Sequence, residues 1–373
     1  MCGFCGFTGE VLNREQVLHA MADRITHRGP DSDGYYMDND IAMAFRRLSI
    51  IDLGTGHQPL YNEDKTLVLT FNGEIYNYQD LRRELIAAGH IFTTESDSEV
   101  LLHGFEQWGE ELLPRLRGMF GFAIWNTVDK SLFLARDYFG IKPLHYTQLP
   151  DGRLIYASEI KSILLHPDFV KEFNEKALDN YLSFQYSVPG ETFFKGVYCL
   201  PPAHYAWFRE GRVTEHRYWE STFAPDESMT LDEAVDQIDT AFTNSVEAHR
   251  ISDVEVGCFL SGGVDSSYVA SYFKGQKAFT VGFDNGQHYN ECQFAAELAE
   301  DIGIDHYQHI ITEDEYWDAL PRVQEHLDQP LADPACVALY FVSKLAAEHV
   351  KVVLSGEGAD ELFGGYRQYA TVL

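Results

Sequence analysis

The second residue of the chain is a cysteine, in the opening run Met1-Cys2-Gly3-Phe4-Cys5-Gly6-Phe7. Removal of Met1 would leave the Cys2 thiol tied beside its own α-amine. Such an amine can take the thiol proton and later return a proton to a leaving group, so nucleophilic attack needs no separate histidine. Gly3 leaves room for a substrate to approach. Other readings stand beside this one. Cys2-x-x-Cys5 has the spacing of a redox pair, which should open a helix after a strand, and of half a zinc site, which should have a second ligand pair at similar spacing. The run is strand-like and has no such second pair. Cys5 also suits a buried structural thiol.

Three further groups of residues have chemical potential. Asn72-Gly73-Glu74 follows a strand-like stretch at 67–71, and an Asn amide with a Gly backbone N–H at a strand end can form an oxyanion hole. The same dipeptide also suits an ordinary hairpin turn. Arg47 can grip a carboxylate, and acids such as Asp97 can grip an ammonium, so together they would recognise an α-amino acid end. Taken singly, each reads as a surface ion-pair residue. Ser261-Gly262-Gly263-Val264-Asp265-Ser266-Ser267 falls between a strand and a helix, where successive N–H groups and a helix N-terminus favour an anion. Its serines add hydroxyls, and Asp265 can hold Mg²⁺. No Gly-Lys-Ser/Thr is present, so this is not a Walker A loop. A generic Gly-rich turn is the competing reading.

The elements that must position these residues fall into two styles. In the first part, strands are expected at 67–71, 119–125, 131–136 and 154–157, with helices at 79–88 and 98–108. Strands in consecutive groups with helices beside them suggest an α+β layered domain over residues 1–220. Residues 221–230 read as a linker. Thr230-Leu231-Asp232-Glu233 is a capping box, and Leu231, Val235, Ile238, Phe242 and Val246 recur at helical spacing. Beyond it, over 231–373, strands at 255–260, 278–283, 306–310 and 351–354 alternate with helices at 265–273, 291–302, 313–327 and 337–350. Alternation of this kind predicts a parallel sheet with helices on its faces, with ligands beyond the carboxyl ends of the strands.

Composition sets outer bounds. The 373 residues carry 28 Lys+Arg against 58 Asp+Glu, a net charge of −30, with 45% hydrophobic and 23% charged residues. This is globular composition, and the length suggests about two domains. An acidic surface makes nucleic acid and anionic membrane poor partners. The six cysteines (2, 5, 199, 258, 292 and 336) are irregularly spaced and suggest no disulfide framework. With neither a signal-like segment nor a transmembrane-length run in view, the expected location is the cytoplasm. The sequence permits a homodimer without dictating one.

Met1-Cys2-Gly3, His27-Arg28-Gly29-Pro30-Asp31, Arg47-Leu48-Ser49-Ile50, Asn72-Gly73-Glu74-Ile75-Tyr76-Asn77, Ser96-Asp97 and Arg136-Asp137-x-x-Gly140-x-x-Pro143-Leu144 occur in that order. Together they resemble a class II glutamine amidotransferase domain, an N-terminal-nucleophile hydrolase. The resemblance implies an αββα sandwich with Cys2 at a strand end. It also implies glutamine recognition by Arg47, Glu74 and Asp97, with Asn72 and the Gly73 N–H for the oxyanion. The loop at 261–267 resembles the PP-loop of ATP pyrophosphatases, in an α/β parallel-sheet domain. Ser355-Gly356-Glu357-Gly358-Ala359-Asp360-Glu361-Leu362-Phe363-Gly364-Gly365-Tyr366 matches a second element of that family.

The two halves in this order resemble the glutamine-hydrolysing asparagine synthetase family. That family implies glutamine, aspartate and ATP as substrates and Mg²⁺ as cofactor. A γ-glutamyl thioester on Cys2 would release ammonia, which would cross an internal passage to a β-aspartyl-AMP. ATP would lie against Leu260, Ser261, Gly262, Gly263, Asp265, Ser266, Ser267, Ser355 and Gly356, with the adenine near Val281. Asp265 and Asp360 would hold the metal, and Glu357 would act near the acyl-adenylate or the ammonia. The resemblance stops at Thr371-Val372-Leu373, where the family continues through a helical region bearing a lysine near the phosphates and part of the aspartate pocket. The expectation is therefore a synthetase half incomplete at its C-terminal end, with glutaminase retained. Two other readings stay open: amidation of a different carboxylic acid, and a catalytically silent amino-acid or nucleotide sensor.

Overall fold

The computed structural model describes residues 1–185, 190, 192–273, 275–284 and 291–369. Thr371-Val372-Leu373, where the family resemblance stops, lies outside the described residues. The chain divides into two compact units. The first comprises Met1–Ala224 with Asp328–Leu331, and the second comprises Pro225–Leu327 with Ala332–Leu373.

The strands of the first unit are β1 (Gly3–Thr8), β2 (Ser32–Met37), β3 (Ile41–Arg47), β4 (Leu60–Tyr61), β5 (Leu67–Ile75), β6 (Gly118–Asn126), β7 (Ser131–Arg136), β8 (His145–Gln148), β9 (Leu154–Ala157), β10 (Val197–Cys199), β11 (His204–Arg209) and β12 (Arg212–Arg217). They form two antiparallel sheets, ordered β10-β8-β9-β1-β3-β2 and β12-β11-β7-β6-β5-β4.

Side-chain alternation along the strands builds the layers. On β5, Leu67, Leu69, Phe71 and Ile75 face the helices Tyr78–Ala88 and Ser98–Trp108, where they meet Leu81, Leu85, Val100 and Leu101. Val68 faces the other way, into a core shared with Phe4, Met43 and Phe45 of the first sheet. On β1, Phe4 joins that inter-sheet core, whereas Cys5 and Phe7 pack on Leu18, Met21 and Ala22 of the helix Arg14–Asp23. Helix, sheet, sheet, helix is the resulting order: an αββα sandwich.

The second unit holds β13 (Val256–Phe259), β14 (Lys277–Phe283), β15 (Asp305–Ile311) and β16 (Val352–Leu354), all parallel, in the order β15-β14-β13-β16. Helices Leu231–His249, Val264–Phe273, Cys292–Ile302, Glu313–Leu327 and Ala335–Ala347 accompany them. The capping box is present: Glu233 N–H donates to Thr230 Oγ1 at 3.3 Å, and Thr230 N–H to the Glu233 carboxylate at 2.9 Å. No helix among the described residues is long and apolar enough to cross a membrane.

Phe122 on β6 is fully buried between the second sheet and its helices, with its ring centroid 5.6 Å from that of Phe120 and 6.0 Å from that of Phe133. Removing it leaves a cavity in a close-packed layer. Phe122→Ala is expected to lower the unfolding free energy of the first unit by about 3–5 kcal/mol, read as an earlier midpoint in chemical denaturation of the whole chain.

Candidate active site

Cys2 stands just before β1, and its side chain packs against the inter-sheet core. Three residues on, Cys5 points to the opposite face, into the helix-covered core. An odd spacing on a pleated strand separates two side chains in this way. The pleat therefore rules out Cys2 and Cys5 as a redox pair or a shared metal site; both are free thiols. The Cys2 sulfur accepts a hydrogen bond from Leu48 N–H at 3.3 Å. Burial pushes its pKa up, and the Leu48 bond and the neighbouring α-amine pull it back. Burial also pushes the α-amine of Met1 down to about 5. The Cys2 carbonyl is held by Arg28 Nε at 2.8 Å, and Arg28 is anchored to Glu159 at 2.8 Å.

Asn72 and Gly73 lie inside a strand, not at a strand end, because β5 runs unbroken from Leu67 to Ile75. This corrects the expected boundary at residue 71 and removes the hairpin-turn reading. The strand persists because β6 pairs with it over its full length, Asn72 opposite Gly121 and Gly73 opposite Phe120. Its other edge is different. β4 pairs there only at Leu69 and Val68. Beyond that point side chains take over. The Gln58 amide accepts Phe71 N–H at 2.6 Å and donates to Phe71 C=O at 3.3 Å, and Asp97 accepts Ile75 N–H at 2.9 Å. By the period of two, the Gly73 N–H faces this same edge between those two caps. A Cβ on Gly73 would lie 2.1 Å from the Met119 carbonyl oxygen, so only glycine fits.

Asn72 and Glu74 share the face of Val68, the inter-sheet side on which Cys2 packs. Asn72 is 1% exposed, yet both ends of its amide lack a hydrogen-bond partner. Glu74 Oε2 is likewise buried and unpartnered. An orphaned buried amide is costly and points to a missing ligand. Burial, and then the charge of Asp97, push Glu74 well above the usual carboxylate range, and burial pushes Asp97 up as well. Arg47, at the end of β3, is buried, and its guanidinium donates to the carbonyls of Ile51 and Asp52. Cys2, Asn72, Gly73, Glu74 and Asp97 thus gather in one region, with Arg47 at the end of the strand that pairs with β1.

Sequence reasoning missed Lys142. Burial pushes its ammonium down while Glu74 pulls it back up, and Cys2 lies within its field. The Arg136-Asp137-x-x-Gly140 motif explains its placement. The Asp137 carboxylate accepts the N–H groups of Phe120, Phe139, Ile141 and Lys142 at 2.9–3.1 Å, and Arg136 Nε donates to Lys142 C=O at 2.8 Å. Acid and base in that motif knot the loop and present Lys142. The motif was visible in the sequence; its purpose was not.

In the second unit the strand order reverses at β13, with β14 on one side and β16 on the other. The loops leaving β13 and β16 therefore flank a switch point, the usual ligand crevice of such sheets. Ser261 N–H donates to Ser266 Oγ at 3.0 Å, Gly263 N–H to Ser261 Oγ at 3.1 Å, and Ser267 Oγ to Gly263 C=O at 2.7 Å, so the loop is knotted by its own serines. Leu260 is buried, tied to β14 through its N–H on Phe279 C=O at 2.9 Å. Val281 is half-buried near the end of β14.

A Cβ on Gly356 would meet Asp265 Cβ at 2.8 Å and Ser266 N at 2.9 Å, so the two loops touch through that glycine. Ser355 Oγ accepts Glu357 N–H at 3.3 Å, and Glu357 is exposed. Asp265 and Asp360 each sit in the first turn of a helix after these loops. Two carboxylates on touching loops are hard oxygen donors that fit Mg²⁺, which takes one or two of them and completes its shell with phosphate and water.

The buried acid pair has a consequence for stability. Each acid has a folded pKa above its unfolded value. Its contribution is therefore present at low pH and is lost as pH rises through the folded pKa. Glu74→Gln removes one charge and relieves the other. The stability of Glu74→Gln relative to the unsubstituted chain is expected to rise between pH 4 and 7, read from denaturation midpoints at each pH. A difference that stays flat would show that the pair does not repel.

Residues 1–219 match the family model for a glutamine amidotransferase domain, and residues 237–373 match that for asparagine synthase. The chain is 45% identical over 379 residues to asparagine synthetase [glutamine-hydrolyzing] 1 of Bacillus subtilis, covering 99% of this chain and 59% of that protein. It is 33% identical to asparagine synthetase B [glutamine-hydrolyzing] of Escherichia coli, covering 98% of this chain and 65% of that one. Among solved structures, a glutamine phosphoribosylpyrophosphate amidotransferase from B. subtilis aligns over 82% of this chain and 65% of its own, at 16% identity and a TM-score of 0.43. The chain thus spans about 59–65% of the length of these curated relatives. The glutamine amidotransferase model alone covers more than half of the chain, and with the layered sheets and grouped site residues above, the chain belongs to the glutamine amidotransferase family.

Proposed function

We propose that the chain hydrolyses glutamine at Cys2 and uses the ammonia for ATP-dependent synthesis of asparagine from aspartate, in the cytosol. The observation that carries the first half is the buried, unpartnered Asn72 amide beside the edge-facing Gly73 N–H. Those two groups are donors waiting for a developing negative oxygen.

The steps follow from the residues. With Met1 removed, the α-amine belongs to Cys2. The burial that holds the Met1 amine neutral at pH 7 would do the same for it. The amine takes the thiol proton, and the sulfur attacks the glutamine side-chain carbonyl carbon. Asn72 Nδ2 and the Gly73 N–H hold the resulting oxyanion. The carbon–nitrogen bond breaks, the amine returns its proton to the leaving nitrogen, and ammonia departs from a γ-glutamyl thioester. Water then releases glutamate and the thiol. Arg47 receives the α-carboxylate of glutamine, and Glu74 and Asp97 receive its ammonium. That cation would relieve the repulsion between the two acids, which gives glutamine binding an electrostatic gain at this site.

In the second unit, the loop at 261–267 and the Ser355-Gly356 turn hold ATP, with Leu260 and Val281 alongside. Asp265 and Asp360 would hold Mg²⁺, which when bound offsets the phosphate charge. The aspartate side-chain carboxylate attacks the α-phosphorus, pyrophosphate leaves, and ammonia displaces AMP from the β-aspartyl-AMP. Glu357 stands near the acyl group or the incoming ammonia. Support comes from the knotted serine loop, its contact with Gly356 and the asparagine synthase match.

Cys2→Ala is expected to abolish glutamate release while leaving glutamine binding measurable by calorimetry. Asn72→Ala is expected to lower kcat by about 10²–10³ with KM little changed. Full hydrolysis by Cys2→Ala would overturn the nucleophile. The synthetase half has its own check: pyrophosphate release with ATP, Mg²⁺, glutamine and a panel of carboxylic acids. Any release that does occur should be selective for aspartate. Release with another acid would change the acceptor.

A further inference from the structure

Away from Cys2, the first unit holds a second cluster of ligating side chains. Glu63 lies in the turn after β4, His90 follows the helix Tyr78–Ala88, and His103 and Glu106 lie one turn apart on the helix Ser98–Trp108. One ligand atom from each of the four residues lies within 4.8 Å of all the others. His103 Nδ1 is 3.3 Å from Glu63 Oε2 and 3.9 Å from Glu106 Oε2. His90 Nδ1 is 3.5 Å from Glu63 Oε1 and 3.7 Å from Glu106 Oε2. A tetrahedral Zn²⁺ with its usual bonds to nitrogen and oxygen places ligand atoms about 3.3–3.4 Å apart. The four separations above run from that edge length to 3.9 Å, and the whole set lies within 4.8 Å.

The far ring nitrogens carry the argument further. His103 Nε2 is 3.4 Å from Glu99 Oε1, and His90 Nε2 is 3.1 Å from Gln107 Oε1. Both are oxygen acceptors, so in its neutral form each ring carries its proton on Nε2 and its lone pair on Nδ1. Metal-bound histidines are oriented in this way, the distal N–H resting on a carboxylate or carbonyl oxygen. The two Nδ1 lone pairs then face the carboxylates of Glu63 and Glu106, acceptor against acceptor. His103 is 1% exposed, and its Nδ1 has no hydrogen-bond partner. A cation between the four atoms turns that opposition into coordination. Phe92 packs edge-on to the His103 ring at 4.6 Å, and Ile91 N–H holds Glu63 Oε1 at 2.9 Å, so ring and carboxylate are both braced.

We propose that Glu63, His90, His103 and Glu106 form a structural Zn²⁺ site. Two imidazole nitrogens select zinc over Mg²⁺ or Ca²⁺, and four protein ligands leave no open position for catalysis. The ion would tie three separate segments together. Glu99, which orients His103, also accepts the N–H groups of Thr93 and Thr94 at 2.8 and 2.7 Å. The site therefore braces the stretch that leads into Asp97.

The test starts from the full chain stripped with a chelator, dialysed and titrated with Zn²⁺ against a chromophoric competitor. One Zn²⁺ per chain is expected at submicromolar free metal, and Co²⁺ should give the visible absorption of a tetrahedral site. The double variant His90→Ala/Glu106→Gln should lose that equivalent. Gln107→Ala keeps all four ligands and the fold, and should weaken binding about 10–100-fold. No stoichiometric uptake by the unsubstituted chain at micromolar Zn²⁺ would overturn the site. So would equal affinity in the double variant and in Gln107→Ala.

Discussion

The first unit depends on one unsatisfied strand edge. A β-strand with a neighbour on only one side exposes alternate N–H and C=O groups on the other, and inside a protein these must find partners. On β5 the partners are side chains, Gln58 at Phe71 and Asp97 at Ile75. Between them stands Gly73, whose Cβ-free backbone is dictated by the Met119 carbonyl. The capped edge fixes the site's direction. The pleat then sends Asn72 and Glu74 to the face where Cys2 lies. One strand, read at odd positions along its edge and at even positions on its inner face, supplies Asn72, Gly73 and Glu74.

Charge is arranged under the same constraint. Glu74, Asp97, Lys142 and Arg28 are all buried near the thiol, and none is simply neutralised by one partner. Arg28 is anchored to Glu159, which burial alone would raise but which His27, Arg28 and Lys161 hold well below the usual carboxylate range. Glu74 sits between Asp97, which disfavours its charge, and Lys142, which favours it. The first arrangement is a closed structural ion network. The second has a surplus acid, and a surplus acid beside an orphaned amide is what a zwitterionic ligand would complete.

The sequence made much of this legible and hid the rest for physical reasons. Strands that read as continuous apolar runs, such as β6 and β7, and helices with a clear apolar face, such as Ser98–Trp108, are evident. The capping box at Thr230 was evident too, because its two bonds are local. Short strands such as β4, with two residues, and β10, with three, exist only through their neighbours and leave no periodic trace. β5 runs past residue 71, the end its sequence suggests, because long-range pairing with β6 overrides the poor strand preference of Asn72 and Gly73. Cys2, Asn72 and Asp97 could be named from their types and order. Lys142 and Gln58 could not, since nothing local distinguishes a buried lysine or a glutamine that caps a distant edge.

The second unit adds an electrostatic condition of its own. A chain with net charge −30 must bind any polyanion through local backbone donors, not through its overall field. The loop after β13 carries such donors, but those of Ser261 and Gly263 are taken by its own serines, and Gly262 N–H donates to the Glu291 carboxylate at 3.2 Å. For a phosphate to take that N–H, the carboxylate has to leave, because two anions cannot share one donor in a small cradle. Its departure removes a repulsive charge and frees the nest in one movement. Glu291 is a surface side chain at the start of the helix Cys292–Ile302, where a swing costs little packing. A phosphate seated on that N–H would therefore have to displace the Glu291 carboxylate that holds it.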